Sequence, residues 1–180
     1  MDDRVGAVLC ALHLLFNEGY WSADDAAPIR RDLCRLALGL ARSLYELRPD
    51  VPEVAGLLAL LLFHDARVAA RSDDRGVPVP LPEQDRTRWD RGTIDDASNL
   101  RRRALAQGTP GPFQLEAAIS AVHCEAHSAE DTDWRQISEL YGLLEAARPT
   151  PVVRVNRAFA VSRVEGAAAG LRLLDDRRLG

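Results

Sequence analysis

Between Pro52 and His64 the chain runs Val54-Ala55-Gly56-Leu57-Leu58-Ala59-Leu60-Leu61-Leu62-Phe63, with no polar side chain among them. A helix that is apolar on every side has to be covered on every side, so this stretch demands a fold in which other elements pack around one central helix. Its flanks supply them. Val5, Val8, Leu9, Leu12, Leu15 and Phe16 recur at helical spacing and predict a first helix ending near Gly19, followed by a turn over Tyr20 to Asp25. A second helix starts near Pro28 and presents Leu33, Leu36, Leu40, Leu44 and Leu47 until Pro49 ends it. Asp50 to Pro52 caps the central helix, which continues with Arg67 and Arg71 on a wetter face.

Pro78, Pro80 and Pro82 then stand at alternate positions, fixing φ and removing three backbone donors, so Val77 to Pro82 is extended and stiff. The polar run behind it closes on Trp89. A connection this long inside a compact helical domain is either disordered or functional, and disordered segments are poor in aromatics. The segment from Val77 to Asp90 is therefore predicted as an ordered loop anchored by Trp89.

Beyond it, Ile94, Ala97, Leu100 and Ala104 make a fourth helix, stopped at Gly108-Thr109-Pro110-Gly111. Pro112 starts a fifth with Leu115, Ala118, Ile119 and Val122 on one face. An acidic turn, Ser128 to Asp133, caps a sixth that carries Trp134, Ile137, Tyr141 and Leu144. Thr150 caps a seventh with Val152, Val155 and Phe159 on its buried face. After Glu165-Gly166 an eighth runs from Ala167 to about Asp176. The recurrence of helix, Pro-bearing turn and helix, with Pro110 and Pro149 39 residues apart, approaches the tetratricopeptide period. The predicted fold is all-α: a three-helix segment over 1–71, a Pro-rich and charged loop over 72–93, and tetratricopeptide-like repeats over 94–180, packed as one domain. Ala167, Leu171 and Leu174 leave a terminal apolar stripe with no further helix before Gly180. We expect a second copy of the chain to cover it, since fraying would also uncover Val155 and Phe159 beneath.

The composition narrows the function classes. All 23 basic residues are Arg, which points to a GC-rich genome, and the net charge of −4 argues against DNA binding by phosphate neutralisation. Cys10, Cys34 and Cys124 are unpatterned and read as small core residues of a reducing cytoplasm. The acidic N-terminus and the polar breaks at His13, Asn17 and Glu18 fit neither a signal peptide nor a membrane span. No nucleophile motif, phosphate-cradling Gly loop or cofactor fingerprint occurs, so no enzyme activity and no cofactor is predicted.

Several co-linear blocks carry a resemblance. They are Leu14-Leu15-Phe16-Asn17-Glu18-Gly19-Tyr20, Pro52 to Leu60 with His64-Asp65-Ala66-Arg67, and Pro80-Leu81-Pro82-Glu83-Gln84-Asp85-Arg86-Thr87-Arg88-Trp89-Asp90. Gly111 to Ile119, Glu130 to Trp134 and Pro151 to Ala158 complete the order. Together they resemble the C-terminal extension of extracytoplasmic-function RNA polymerase sigma factors whose extension is built of tetratricopeptide-like repeats. The resemblance implies a regulatory role in transcription initiation, with the preceding sigma-factor domains, RNA polymerase core or a regulatory protein as partners. It also implies that DNA is reached only through the full-length factor, because the two DNA- and polymerase-binding domains of that family, the second with a helix-turn-helix, would precede this chain.

Three clusters are candidate sites. His123 and His127 stand at i and i+4, as zinc ligands do, but the intervening Glu125 is one place off the zinc-protease motif and we expect no metal. His64, Asp65, Arg67 and Arg71 together with Asp85, Arg86, Arg88 and Asp90 can form either a polar pocket or an ion-pair lattice pinning the loop to the third helix. The lattice is the expectation, with Trp89 as the apolar nail. Asn17-Glu18-Gly19-Tyr20-Trp21 ends the first helix either as a Gly C-cap with Tyr20 folded back or as an exposed partner surface.

Overall fold

The computed structural model describes residues 3–20, 30–108 and 110–175, and every regular element among them is helical. In chain order these are α1 (Asp3–Tyr20), α2 (Arg31–Leu47), α3 (Pro52–Asp65), α4 (Arg91–Leu105), α5 (Pro112–Glu125), α6 (Trp134–Ala147), α7 (Pro151–Glu165) and α8 (Ala167–Asp175). Short 3₁₀ turns lie at Val68–Ala70, Leu81–Glu83 and Arg86–Arg88. Trp21, Pro28 and Thr109, which carry predicted turns and a helix start, lie outside the described residues, as do 176–180.

The apolar run is the centre of the fold, as its composition requires. Every residue of α3 from Glu53 to Phe63 is buried, against α1, α2, α4 and α5. A second central helix was not expected. α5 is buried on both faces: Phe113, Ala117, Ala121 and Cys124 enter the α1–α4 core, while Leu115, Ile119 and Val122 form a separate core with Ile137, Leu144, Val153 and Ala160. Its polar positions Gln114 and Ser120 are buried too, and they disguise it as a one-faced helix in the sequence. From α5 onward each helix packs on the next, α6 on α5, α7 on α6 and α8 on α7.

The predicted α7 face is reversed and that of α2 is rotated, with Leu33 and Leu44 half-buried at its edge. On α2 the buried residues are Cys34, Ala37, Leu38 and Ala41, and Leu36, Leu40 and Leu47 point outward. Small residues face inward because α1 comes very close. A Cβ on Gly19 would lie 2.8 Å from the Cys34 nitrogen, so Gly19 is a close-approach residue inside α1 and not its C-cap. On α7 the buried set is Val153, Ala158, Ala160 and Val161, and Val152, Val155 and Phe159 are exposed. The same logic applies: the small alanines mark the packed face and the bulky residues are displaced to the other. Val155 and Phe159 thus need no uncovering by α8, whose own Leu171 is 60% exposed. Cys10 is also exposed, unlike Cys34 and Cys124.

Helix ends follow local chemistry. Thr150 caps α7 through the Val153 N–H, Asp133 caps α6 through Gln136, and Gly166 ends α7 at φ 91°. α4 begins at Arg91, earlier than predicted, because Asp90 accepts the Thr93 N–H at 3.0 Å. Within the predicted Asp50–Pro52 cap, Val51 is the cap residue of α3 and Pro52 lies in the first turn.

Candidate interaction groove

The segment from Arg71 to Asp90 is tied down along its length. The Val79 N–H donates to the Arg71 carbonyl at 2.7 Å, Ser72 and Pro78 form an antiparallel bridge, and the Asp90 N–H donates to Ala66 at 2.9 Å. Arg86 is buried and gives one guanidinium nitrogen to the carbonyls of His123 (2.6 Å) and Ala126 (2.8 Å), while Arg91 reaches that of Cys124 (3.2 Å). These carbonyls belong to the C-terminal end of α5, whose last turn has no intrahelical donors and is favoured by positive charge. Trp89 is 3% exposed beneath the Arg86 guanidinium, 4.6 Å from its ring centre.

This arrangement replaces the expected ion-pair lattice. Among the described residues no ion pair joins Asp85 or Asp90 to Arg67 or Arg86. Asp85 is exposed and caps the turn at Thr87, and Asp90 caps α4. Because α3 stops at Asp65 and the chain turns through Val68–Ala70, Arg67 and Arg71 are drawn inward and buried, not set on a wet face. Arg71 lies over the Tyr20 ring at 3.8 Å.

Tyr20 is not the exposed aromatic of a partner surface. It is buried, stacked on Phe16 at 5.5 Å and tilted against His64 at 5.3 Å. Glu18 is exposed on α1, Trp21 lies outside the described residues, and Asn17 places its amide nitrogen 3.3 Å from His13 Nε2. His127 follows the end of α5 and leaves the helical face of His123. Among the described residues no three His, Cys, Asp or Glu side chains converge.

The structure brings together a different set. A groove of about 530 Å³ lies between Leu81–Arg86 on one side and α6 and α7 on the other, with Trp134, Tyr141, Asn156, Phe159 and Arg163 in its walls and His123 in its floor. Tyr141 and Asn156 also border an adjoining cleft of about 460 Å³ that reaches His13, Asn17, Arg148 and Val152. Phe159 is 56% exposed and meets Trp134 edge to face at 5.5 Å, and Trp134 meets His123 in the same way at 5.4 Å. Arg163 stands 5.3 Å from the Trp134 ring centre. The sequence marks the groove only through the contrast between bulky Val152, Val155 and Phe159 and small Ala158 and Ala160 on α7.

Burial pushes the His123 pKa from 6.5 down to about 4, assisted by the positive charges of Arg67 and Arg86. The folded chain thus resists protonation at His123 that the unfolded chain accepts, so stability is retained above pH 6.5 and lost as pH falls toward about 4. From this residue alone the loss should reach up to about 3 kcal/mol at the acid end. His13 and His64 are lowered by burial as well and act in the same direction. Urea titrations between pH 7.5 and 4.5 should show a shallower acid loss for His123→Gln than for the parent. Parallel profiles would mean that His123 titrates normally.

Comparison with known proteins adds relationship without activity. A profile described as a family of unknown function (DUF6596) matches residues 4–105, which is α1 to α4 and the tied segment. An uncharacterized protein of Rhizobium meliloti (strain 1021) is 43% identical over 173 residues, 96% of this chain and 41% of the relative. The chain therefore spans about two-fifths of the length of that relative. No solved structure shows a significant match.

Proposed function

The chain belongs to the DUF6596 family, and we propose that it is the C-terminal regulatory extension of an extracytoplasmic-function sigma factor, acting in transcription initiation through protein contacts and without chemistry of its own. The observation that carries the contact is the groove: an exposed aromatic, Phe159, backed by Trp134 and Tyr141 and rimmed by Asn156, Arg163 and Arg86. Interfaces use aromatic anchors of this kind within a polar rim. The resemblance in the block Pro80 to Asp90 supports the family assignment, and it lies on one wall of the groove. More than half of the Rhizobium relative lies outside the match, which leaves room for the DNA- and polymerase-binding domains of such a factor. Any DNA contact then belongs to those domains, in keeping with the net charge of −4 here.

The test is capture of this chain by the two preceding sigma domains and by core polymerase. Binding to at least one is expected, weakened roughly tenfold or more by Phe159→Ala, a loss of about 1.4 kcal/mol or greater. Because Phe159 is more than half exposed, the variant should keep its thermal midpoint. Absence of binding to every candidate would remove the docking mechanism, and undiminished binding by the variant would move it away from the groove.

A further inference from the structure

Under the segment Pro78–Gln84 lies a third cleft, of about 440 Å³, which shares only Leu81 with the groove and is floored by Arg67. Arg67 is 6% exposed, and its Nε donates to the Phe63 carbonyl at 3.2 Å. Among the described residues its two terminal nitrogens have no acceptor and no carboxylate pairs with it. A desolvated cation without an anion is costly to hold. In the same cleft Gln84 is 8% exposed. Its amide nitrogen donates to the Val79 carbonyl at 3.1 Å, and its Oε1 is buried with no donor. Arg71, held over the Tyr20 ring, adds a second positive charge to the lining, and Tyr20, Pro78, Val79, Pro80 and Leu81 supply its apolar part.

We propose that this cleft is a binding site for a small organic acid that has an apolar body, a carboxylate head for Arg67 and one hydrogen-bond donor for Gln84 Oε1. The terminal edge of the Arg67 guanidinium is the fork that matches a carboxylate in two parallel hydrogen bonds. A molecule of this description answers both orphaned groups at once and fills a volume typical of ligand sites. Burial keeps His64 well below its usual pKa, so its ring is neutral beside the acid and adds no competing charge.

Isothermal titration of the whole chain with 3-phenyllactate, 3-phenylpropionate, phenyllactate methyl ester and inorganic phosphate tests the site. Saturable one-to-one binding of phenyllactate is expected, several-fold weaker for phenylpropionate, which lacks the hydroxyl donor, and absent for the ester. Arg67→Gln should weaken both acids at least tenfold. Where that variant does not fold, Gln84→Leu decides: it should abolish the preference for phenyllactate over phenylpropionate while leaving the latter bound. Failure of both acids to bind at millimolar concentration, an ester that binds as well as the acid, or a preference that survives Gln84→Leu would overturn the proposal. So would phosphate binding as tightly as phenyllactate, which would reduce the site to a general anion trap. Neither Arg67 nor Gln84 lines the groove, so the outcome leaves the docking test unaffected.

Discussion

Trp89→Ala should lower stability by about 3–5 kcal/mol, among the largest single losses available to a chain of this size. The indole is 3% exposed and belongs to the α1–α5 core, so its removal opens a cavity lined by the helices. It also removes the ring that Arg86 and Arg91 cover at 4.6 and 5.9 Å. The indole N–H has no acceptor, and a buried donor left unpaired is unfavourable. Trp89→Phe removes that donor and keeps most of the ring, and its cost should be about 1 kcal/mol or less. Urea unfolding of the two variants checks both numbers. A Trp89→Ala change within error of zero would mean that the segment is only draped over the helices.

Glu53→Ala should cost about 3–4 kcal/mol, although it deletes a side chain that a sequence reader would place on the surface. Glu53 sits in the first turn of α3 and is buried, and its two carboxylate oxygens accept the Phe113 and Gln114 N–H groups at 3.1 Å each. Those donors are in the first turn of α5, which has no intrahelical acceptors for them and favours negative charge. Gly111 makes room for the carboxyl, since a Cβ there would collide with it. Burial raises the Glu53 pKa despite both N–H bonds and Arg148 nearby, so desolvation offsets part of the gain and the loss is smaller than the sum of two charge-assisted bonds. Glu53→Gln, with one acceptor oxygen, should fall between the parent and Glu53→Ala. Equal stability of all three would show that water replaces the carboxylate at no cost.

The helices were legible because their signals are local. The all-apolar run, the prolines at first positions, and the caps at Asp133 and Thr150 each act within a turn. Trp89 was legible because a large aromatic in a proline-stiffened polar segment has little to do except anchor it. The faces of α2 and α7 were not, because which side is buried depends on how close the neighbour comes. Cys34, Ala37 and Ala41, and Ala158 and Ala160, record that closeness only to a reader who weighs smallness above hydrophobicity. The arginines of the tied segment were misjudged for a related reason. Charge suggests a carboxylate partner, yet Arg86 serves helix-end carbonyls, and a carbonyl leaves no mark in a sequence. The groove was hidden with the α7 face, and Glu53 was hidden because its partners are backbone N–H groups some 60 residues away.

The double-sided burial of α5 makes the two halves of the molecule unequal. Local opening can begin at α8, proceed through α7 and reach α6 while α5 stays held by Phe113, Ala117 and Ala121 in the α1–α4 core. The reverse order is closed, because separating α1 to α4 would strip α5 of one face and take the platform from under Leu115, Ile119 and Val122. A ladder of opening free energies that runs in one direction puts the α7 wall of the groove on its lower rungs, while the wall formed by Leu81–Arg86 stays with the part that opens last.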